Sequence, residues 1–309
     1  MGRPFVISHR RFPTGVFPPR PEERPCPGDQ EAGPHGLPAR AGRSVLSRIG
    51  KVAGTTFEVI CEIEPATTPD LRRVRHQIGV LSAISSMFLI PDNHIGRATV
   101  SSIAVAHEVI DMGGRAIACL NARDRNTLGF RRDMLTAAAY GVDEFLFVYG
   151  DRPESGRRSD DLTVRSMLEE ARRFAHQHEG GTSRFRLGVA STLGPVPPWK
   201  QEADFLFTQV GFSLEEIMKW RASVQFDGPV YAGVMVIGSA QMAAKLTGEN
   251  PQLAVPAWLA QQLERDKEAG VEFACDLVCR IRDAGAFDGV HLIPVRRFRE
   301  VARRLEALL

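Results

Sequence analysis

From Phe57 to the C-terminus the chain alternates between two patterns of apolar and polar positions. Short β-branched and aromatic runs occur at 57–65, 83–90, 115–122, 144–149, 184–191, 204–210, 229–237 and 287–294. Each is followed by turn-forming residues and then by a stretch with helical spacing. Residues 164–178 show the second pattern: Met167, Leu168, Ala171, Phe174 and Ala175 form one apolar stripe with Arg and Glu opposite. Strands alternating with helices predict parallel pairing through right-handed crossovers. Eight such units between residues 57 and 309 match the size of a closed (β/α)8 TIM barrel, whereas an open doubly wound sheet usually has fewer strands. The sequence therefore predicts an α/β chain whose residues 45–309 form one barrel domain.

In such a barrel each strand is covered by helices outside and by packed side chains inside, so its body is apolar. Its C-terminal end opens onto the face where active sites are built. Polar residues at strand ends are therefore the candidates for chemistry. The fourth strand, EFLFVY, stops at Gly150-Asp151; the carboxylate can be an Asx-turn or cap residue, or a functional group at the rim. The first strand ends in Glu62 and Glu64, which alternation places on one side of the strand, and a glutamate is a poor choice for a strand that must be buried. The second strand runs into the polar turn 91–97 with Asp92, Asn93 and His94, and His94 reads as a loop histidine. The third runs into Asn121-Ala122-Arg123-Asp124-Arg125, which reads as a surface ion-pair cluster or as part of the rim, and the sixth carries Thr208-Gln209. Two carboxyl groups at one barrel mouth suit acid–base work, since a buried one can hold a proton while a solvated one stays charged.

Composition narrows the alternatives. The net charge of +2, from 39 basic and 37 acidic side chains, leaves no footprint for nucleic acid. No stretch has the length and apolarity of a membrane span and the N-terminus lacks the apolar core of a secretory signal, so a cytoplasmic location is the expectation. The five cysteines form no CxxC pair; Cys275 and Cys279 read as packed thiols on one helix face, and no metal site is suggested. No GxSxG, HExxH, GxxxxGK[ST] or strand-borne GxGxxG occurs, which argues against the enzyme classes those motifs serve. Residues 1–44 hold nine of the chain's twenty prolines and six of its glycines, a composition that predicts a disordered N-terminal extension. A homo-oligomer is compatible with all of this.

Taken in order, EIEPA, ARDRN, FLFVYGDRP, ADFLFTQ and VPAWLA resemble the methylenetetrahydrofolate reductase family over roughly residues 57–309. The resemblance implies a barrel enzyme of one-carbon metabolism and methionine biosynthesis. Through FAD, it would pass hydride from NADH or NADPH to 5,10-methylenetetrahydrofolate, giving 5-methyltetrahydrofolate. It further implies that Glu62 is the general acid that protonates the departing nitrogen of the five-membered ring. Asp151 would bind the pterin and stabilise the cationic iminium, and Gln209 would hydrogen-bond the pterin. Asn93, Cys119, Asn121, Tyr149 and Gly150 fall on the cofactor side. A related barrel enzyme or folate-binding protein acting on another folate or pterin one-carbon substrate, with or without flavin, is the alternative.

Three departures from the family pattern bear on the flavin. Residues 192–203, TLGPVPPWKQEA, are too short and proline-rich for the helix whose polar and basic residues usually grip the dinucleotide. Cys119 and Tyr149 stand where His or Gln, and Arg or Thr, are usual. The segment after the seventh strand, Gly238-Ser239-Ala240-Gln241, lacks the aromatic residue often found there.

Overall fold

A computed structural model describes residues 57–152, 154–177, 185–249 and 253–309. The predicted N-terminal extension 1–44, and the first residues of the predicted barrel domain up to 56, lie outside the described residues. The eight strands are β1 (Glu58–Glu62), β2 (Met87–Ile90), β3 (Arg115–Asn121), β4 (Glu144–Val148), β5 (Arg186–Ser191), β6 (Phe205–Val210), β7 (Val230–Met235) and β8 (Gly289–Ile293). All neighbours are parallel and β8 closes onto β1, so the sheet is a barrel without edges. The helices are α1 (Arg72–Leu81), α2 (Ser102–Asp111), α3 (Thr127–Ala139), α4 (Val164–Gln177), α5 (Leu214–Ser223), α6 (Ala240–Glu249), α7 (Ala257–Arg265), α8 (Ala269–Ala284) and α9 (Phe298–Glu306). The fold is the predicted (β/α)8 TIM barrel. Two connections break the simple alternation: β5 and β6 are joined by only a short 3-10 turn, Pro198–Glu202, and β7 and β8 are joined by three helices.

Strand alternation sorts the side chains into two cores. Outward residues such as Val59, Cys61, Phe88, Phe145 and Phe147 pack under the helices, where α4 contributes Met167, Leu168, Ala171 and Phe174 as its spacing predicts. Ile60, Met87, Leu89, Ile117, Cys119, Leu146, Phe205, Phe207 and Tyr231 fill the barrel itself. Gly188 on β5 makes that filling possible. A Cβ there would lie 1.9 Å from Cε2 of Phe205, so the glycine on one strand leaves the volume that the ring on the next strand occupies.

The N-terminal end of the barrel is closed by charge. Arg115 pairs with Glu58 at 3.1 Å and with Glu144 at 2.8 Å, Arg186 pairs with Glu144 at 2.7 Å, and the Tyr231 hydroxyl donates to Glu58 at 2.7 Å. Burial, together with that bond to Glu58, pushes the Tyr231 phenol well above its ordinary pKa. This end is a plug, and the chemistry is left to the other end. Several predicted runs are trimmed at their ends, and 83–90 is halved: only Met87–Ile90 pairs, because the Ser85 hydroxyl accepts the Met87 N–H at 3.1 Å and donates to the Val59 carbonyl at 2.6 Å, which makes a turn of the preceding residues.

Candidate functional site

The two glutamates at the end of β1 have different surroundings. Glu64 is paired with Arg73 at 2.6 Å and lies 3.8 Å from Arg296, while its backbone exchanges hydrogen bonds with the buried Gln77 amide. It ties β1 to α1. Glu62, the last residue of the strand, is nearly buried, and its Oε2 lies 3.2 Å from Nε2 of His291 on β8. The imidazole is buried, stacks on Phe207 at 5.2 Å between ring centres, and sits beside Gly233, which contributes no side chain. The pair is close but poorly aligned, and His291 Nε2 has no hydrogen-bond partner. His291 was not among the candidates drawn from the sequence. The signal was available, since alternation in Gly289-Val290-His291-Leu292-Ile293 puts the single polar side chain of that run on the barrel side.

Next to this pair lies Cys119, also inside the barrel. Burial pushes its thiol well above the ordinary range, and the charges of Glu62 and Asp92 push the same way. It is a neutral apolar wall at neutral pH.

The other candidates on β2, β3 and β4 form a loop-tying network. Asp92 accepts from the Asn121 backbone at 3.0 Å and from its side-chain amide at 2.6 Å, and forms a short ion pair with Arg125, which also holds Asp133 at 2.8 Å. Asn121 is fully buried and its carbonyl oxygen accepts the Asp124 N–H at 2.9 Å. Asn93 donates to Asp124 at 2.9 Å, and Arg123, only 2 % exposed, grips Asp124 with two bonds. The Arg123–Arg125 run is therefore a buried clamp, not a surface cluster. Tyr149 is exposed and its hydroxyl accepts from Arg158 at 3.1 Å.

Gly150 turns the chain at the end of β4 with φ +97°, and a Cβ there would stand 2.9 Å from the Asn121 Cβ. The turn delivers Asp151 to the exposed rim, where Oδ2 accepts the N–H of Ile95 at 3.0 Å. Ile95 is a β-branched residue at φ 56°, a costly conformation that this bond helps to hold. Asp151 caps no helix, since α4 begins at Val164. Across the mouth, Gln209 lies where the β6–β7 register shifts between Phe207 and Val210. The Thr208 hydroxyl bridges that shift, donating to the Gln209 carbonyl and accepting from Gly233 N–H, both at 2.9 Å. The half-buried Gln209 amide itself makes no hydrogen bond among the described residues. The mouth thus offers a carboxyl–imidazole pair, a rim carboxylate and an uncommitted amide on different strands. His94 is an exposed loop residue.

These residues do not fit FAD held in the manner the family resemblance implies. Lys200 is the only cation of residues 192–203, and its ammonium is folded onto the Ala190 carbonyl at 2.6 Å, with its pKa lowered by burial. No charge of that connection is left for a pyrophosphate. Asn93, Asn121 and Tyr149 are already engaged within the protein. Among the described residues no group of three or more His, Cys, Asp or Glu could hold a metal ion, and no helix is long and apolar enough to cross a membrane.

Comparison with known proteins adds independent information. No curated protein sequence matches the chain. An uncharacterized protein from Clostridium thermocellum that binds two copies of 5-methyl-5,6,7,8-tetrahydrofolic acid is similar in structure, with TM-score 0.56 and 11 % identity over 82 % of this chain and 96 % of that one. A β-1,3-glucanosyltransferase from Rhizomucor miehei (TM-score 0.47, 12 % identity, 78 % and 88 % covered) and 7,8-dihydropteroate synthase from Vibrio fischeri (0.46, 11 %, 82 % and 92 %) are more distant barrels. At these identities the likenesses concern the fold alone. Residues 200–308 match the family profile of methylenetetrahydrofolate reductase; they include ADFLFTQ with Gln209 and VPAWLA, whereas EIEPA, ARDRN and FLFVYGDRP precede them. The C-terminal part of the chain is thus similar to the methylenetetrahydrofolate reductase family, and the barrel as a whole is similar in fold to a folate-binding protein.

Proposed function

We propose that this protein reduces 5,10-methylenetetrahydrofolate to 5-methyltetrahydrofolate with hydride from NADH or NADPH. The observation that carries the reading is the contrast at the end of β1: Glu64 is held by arginines, whereas Glu62 faces the barrel mouth beside the buried imidazole and the neutral Cys119 thiol. A nearly buried carboxyl so placed can transfer a proton at the barrel mouth.

In this reaction the bond between the bridging methylene and one folate nitrogen breaks, and that nitrogen takes the proton of Glu62. The methylene is left as a cationic iminium on the other nitrogen. Hydride from the reduced nicotinamide adds to the iminium carbon, which becomes the methyl group, and the nicotinamide leaves oxidised. Asp151, at the end of β4, supplies a fixed negative charge towards the developing cation, and Gln209 offers both a donor and an acceptor to the pterin edge. The family match over the segment containing Gln209 supports the folate assignment, as does the tetrahydrofolate bound by the Clostridium barrel.

The test is Glu62→Gln, which keeps the shape and removes the transferable proton. Folate-dependent oxidation of reduced nicotinamide should fall about 10² to 10⁴-fold with folate affinity nearly unchanged; full turnover by the variant would remove Glu62 from the chemistry. A second reading, one-carbon chemistry on a folate without net reduction, is favoured by the missing flavin cradle around Lys200. It predicts folate binding without consumption of reduced nicotinamide.

A further inference from the structure

The proposed function leaves the buried imidazole beside Glu62 without a role, although it carries an unsatisfied polar atom. His291 is buried, its Nε2 is orphaned, and the nearest charged atom to that nitrogen is Oε2 of Glu62 at 3.2 Å. A buried imidazole with an unpaired nitrogen is costly if it serves packing alone. The ring is fixed by Phe207 on one face, and Gly233 on the adjacent strand leaves space beside it.

We propose that His291 is the proton relay and positioning residue for Glu62. This rests on the reading of Glu62 as the acid. When Glu62 gives its proton to the departing folate nitrogen it becomes a carboxylate. The imidazole of His291 then takes up a proton from solvent and passes it through Nε2–H to that carboxylate, restoring the acid and leaving the imidazole neutral. No electrons move in the relay. The same contact orients the carboxyl towards the mouth, as a fixed donor orients an acceptor elsewhere in acid–base sites.

The groups facing the pair from neighbouring elements do not compete for this role. On β3 the Cys119 thiol is kept neutral by burial, and on β7 the Tyr231 hydroxyl is turned to Glu58 at the opposite end of the barrel. On β6 the neighbour is Phe207, and on the loop after β2 Asp92 is committed to Arg125 and Asn121. Among the described residues, Glu64 is the nearest other carboxyl in the chain, and it is paired with Arg73.

Two measurements test the relay. In the first, the carboxyl carbon of Glu62 and the ring of His291 are followed by NMR across pH in the wild-type protein. A relay pair titrates as a coupled unit, with each signal reporting both proton steps. In the second, His291→Gln, which keeps an N–H near Glu62 but cannot pass a proton, is assayed for the pH dependence of kcat. Turnover should drop about 10 to 100-fold with folate affinity retained, and the alkaline limb that the relay predicts for the wild-type profile should be absent from the variant's. Uncoupled titration, or a variant with the wild-type pH profile, would overturn the relay even if the protein reduces folate. Coupled titration in a protein that reduces no folate would instead overturn the functional reading, and the relay's role with it.

Discussion

Replacing Gly150 with alanine tests the claim that one turn both ends β4 and aims Asp151. The residue has φ +97°, a conformation costing an L-residue about 1–2 kcal/mol. The added methyl group would also lie 2.9 Å from the Asn121 Cβ, closer than ordinary contact. Asn121 cannot retreat freely, because it is fully buried and bound to Asp92 and to the Asp124 backbone. Loosening one charge-assisted bond of that set costs about 1.5–3 kcal/mol, so the total is about 2.5–5 kcal/mol. Gly156→Ala is the matched control, since it has φ +83° and open space around its Cβ and should show only the backbone cost. In thermal unfolding the two variants should then differ by about 2 kcal/mol, or roughly 4–8 °C in Tm for a domain of this size. If both melt at the same temperature, the packing of the β4 turn on Asn121 is not what constrains Gly150, and the argument for Asp151's placement fails.

Asp151→Asn keeps an acceptor for the Ile95 N–H but removes the charge. It should slow hydride transfer to the folate while leaving the binding of reduced nicotinamide nearly unchanged; equal losses in the two would remove its electrostatic role. Burial works to raise the Asp124 pKa, but hydrogen bonds from Arg123, Asn93 and the Asn121 side chain, with the Arg123 charge, produce a net lowering. The stabilisation is therefore complete above the ordinary aspartate value of about 4 and lost as pH falls through the lower folded value. Acid unfolding of Asp124→Asn should show a weaker pH dependence in that window, and an unchanged acid limb would contradict the pairing. Burial pushes Cys61 and Cys275 up to about 12 and raises Cys119 and Cys279 too. In a Cys26→Ser background, iodoacetamide at pH 8 should label the native protein far more slowly than the unfolded one, and rapid labelling would show that these thiols are accessible thiolates.

Much of the barrel could be read from alternation and spacing, because those signals are local. The run at 144–149 and the stripe on α4 have the structure their patterns predict. The run at 83–90 overreached because Ser85 spends its hydroxyl on Val59, 26 residues away, and no local pattern carries that bond. The same limit governs the rim. Glu62 and Glu64 look alike in sequence, and only the arrival of Arg73, Arg296 and His291 from other elements separates them. Asn121 and Asn93 looked available, but their partners Asp92 and Asp124 fold onto them from neighbouring loops. Of the three helices between β7 and β8, α6 and α7 went unread, since their apolar residues, Ala243, Leu259 and Leu263 among them, pack as a separate small core with Ile237 and Val255.

The most direct test of the account is to incubate the purified full-length protein, with no flavin added, with NADH or NADPH and then with 5,10-methylenetetrahydrofolate, following nicotinamide oxidation and the folate product together. The account predicts that oxidation begins only when the folate is added and that 5-methyltetrahydrofolate forms in equal amount. Absence of folate-dependent oxidation with both nucleotides, or oxidation without the methyl product, would contradict it.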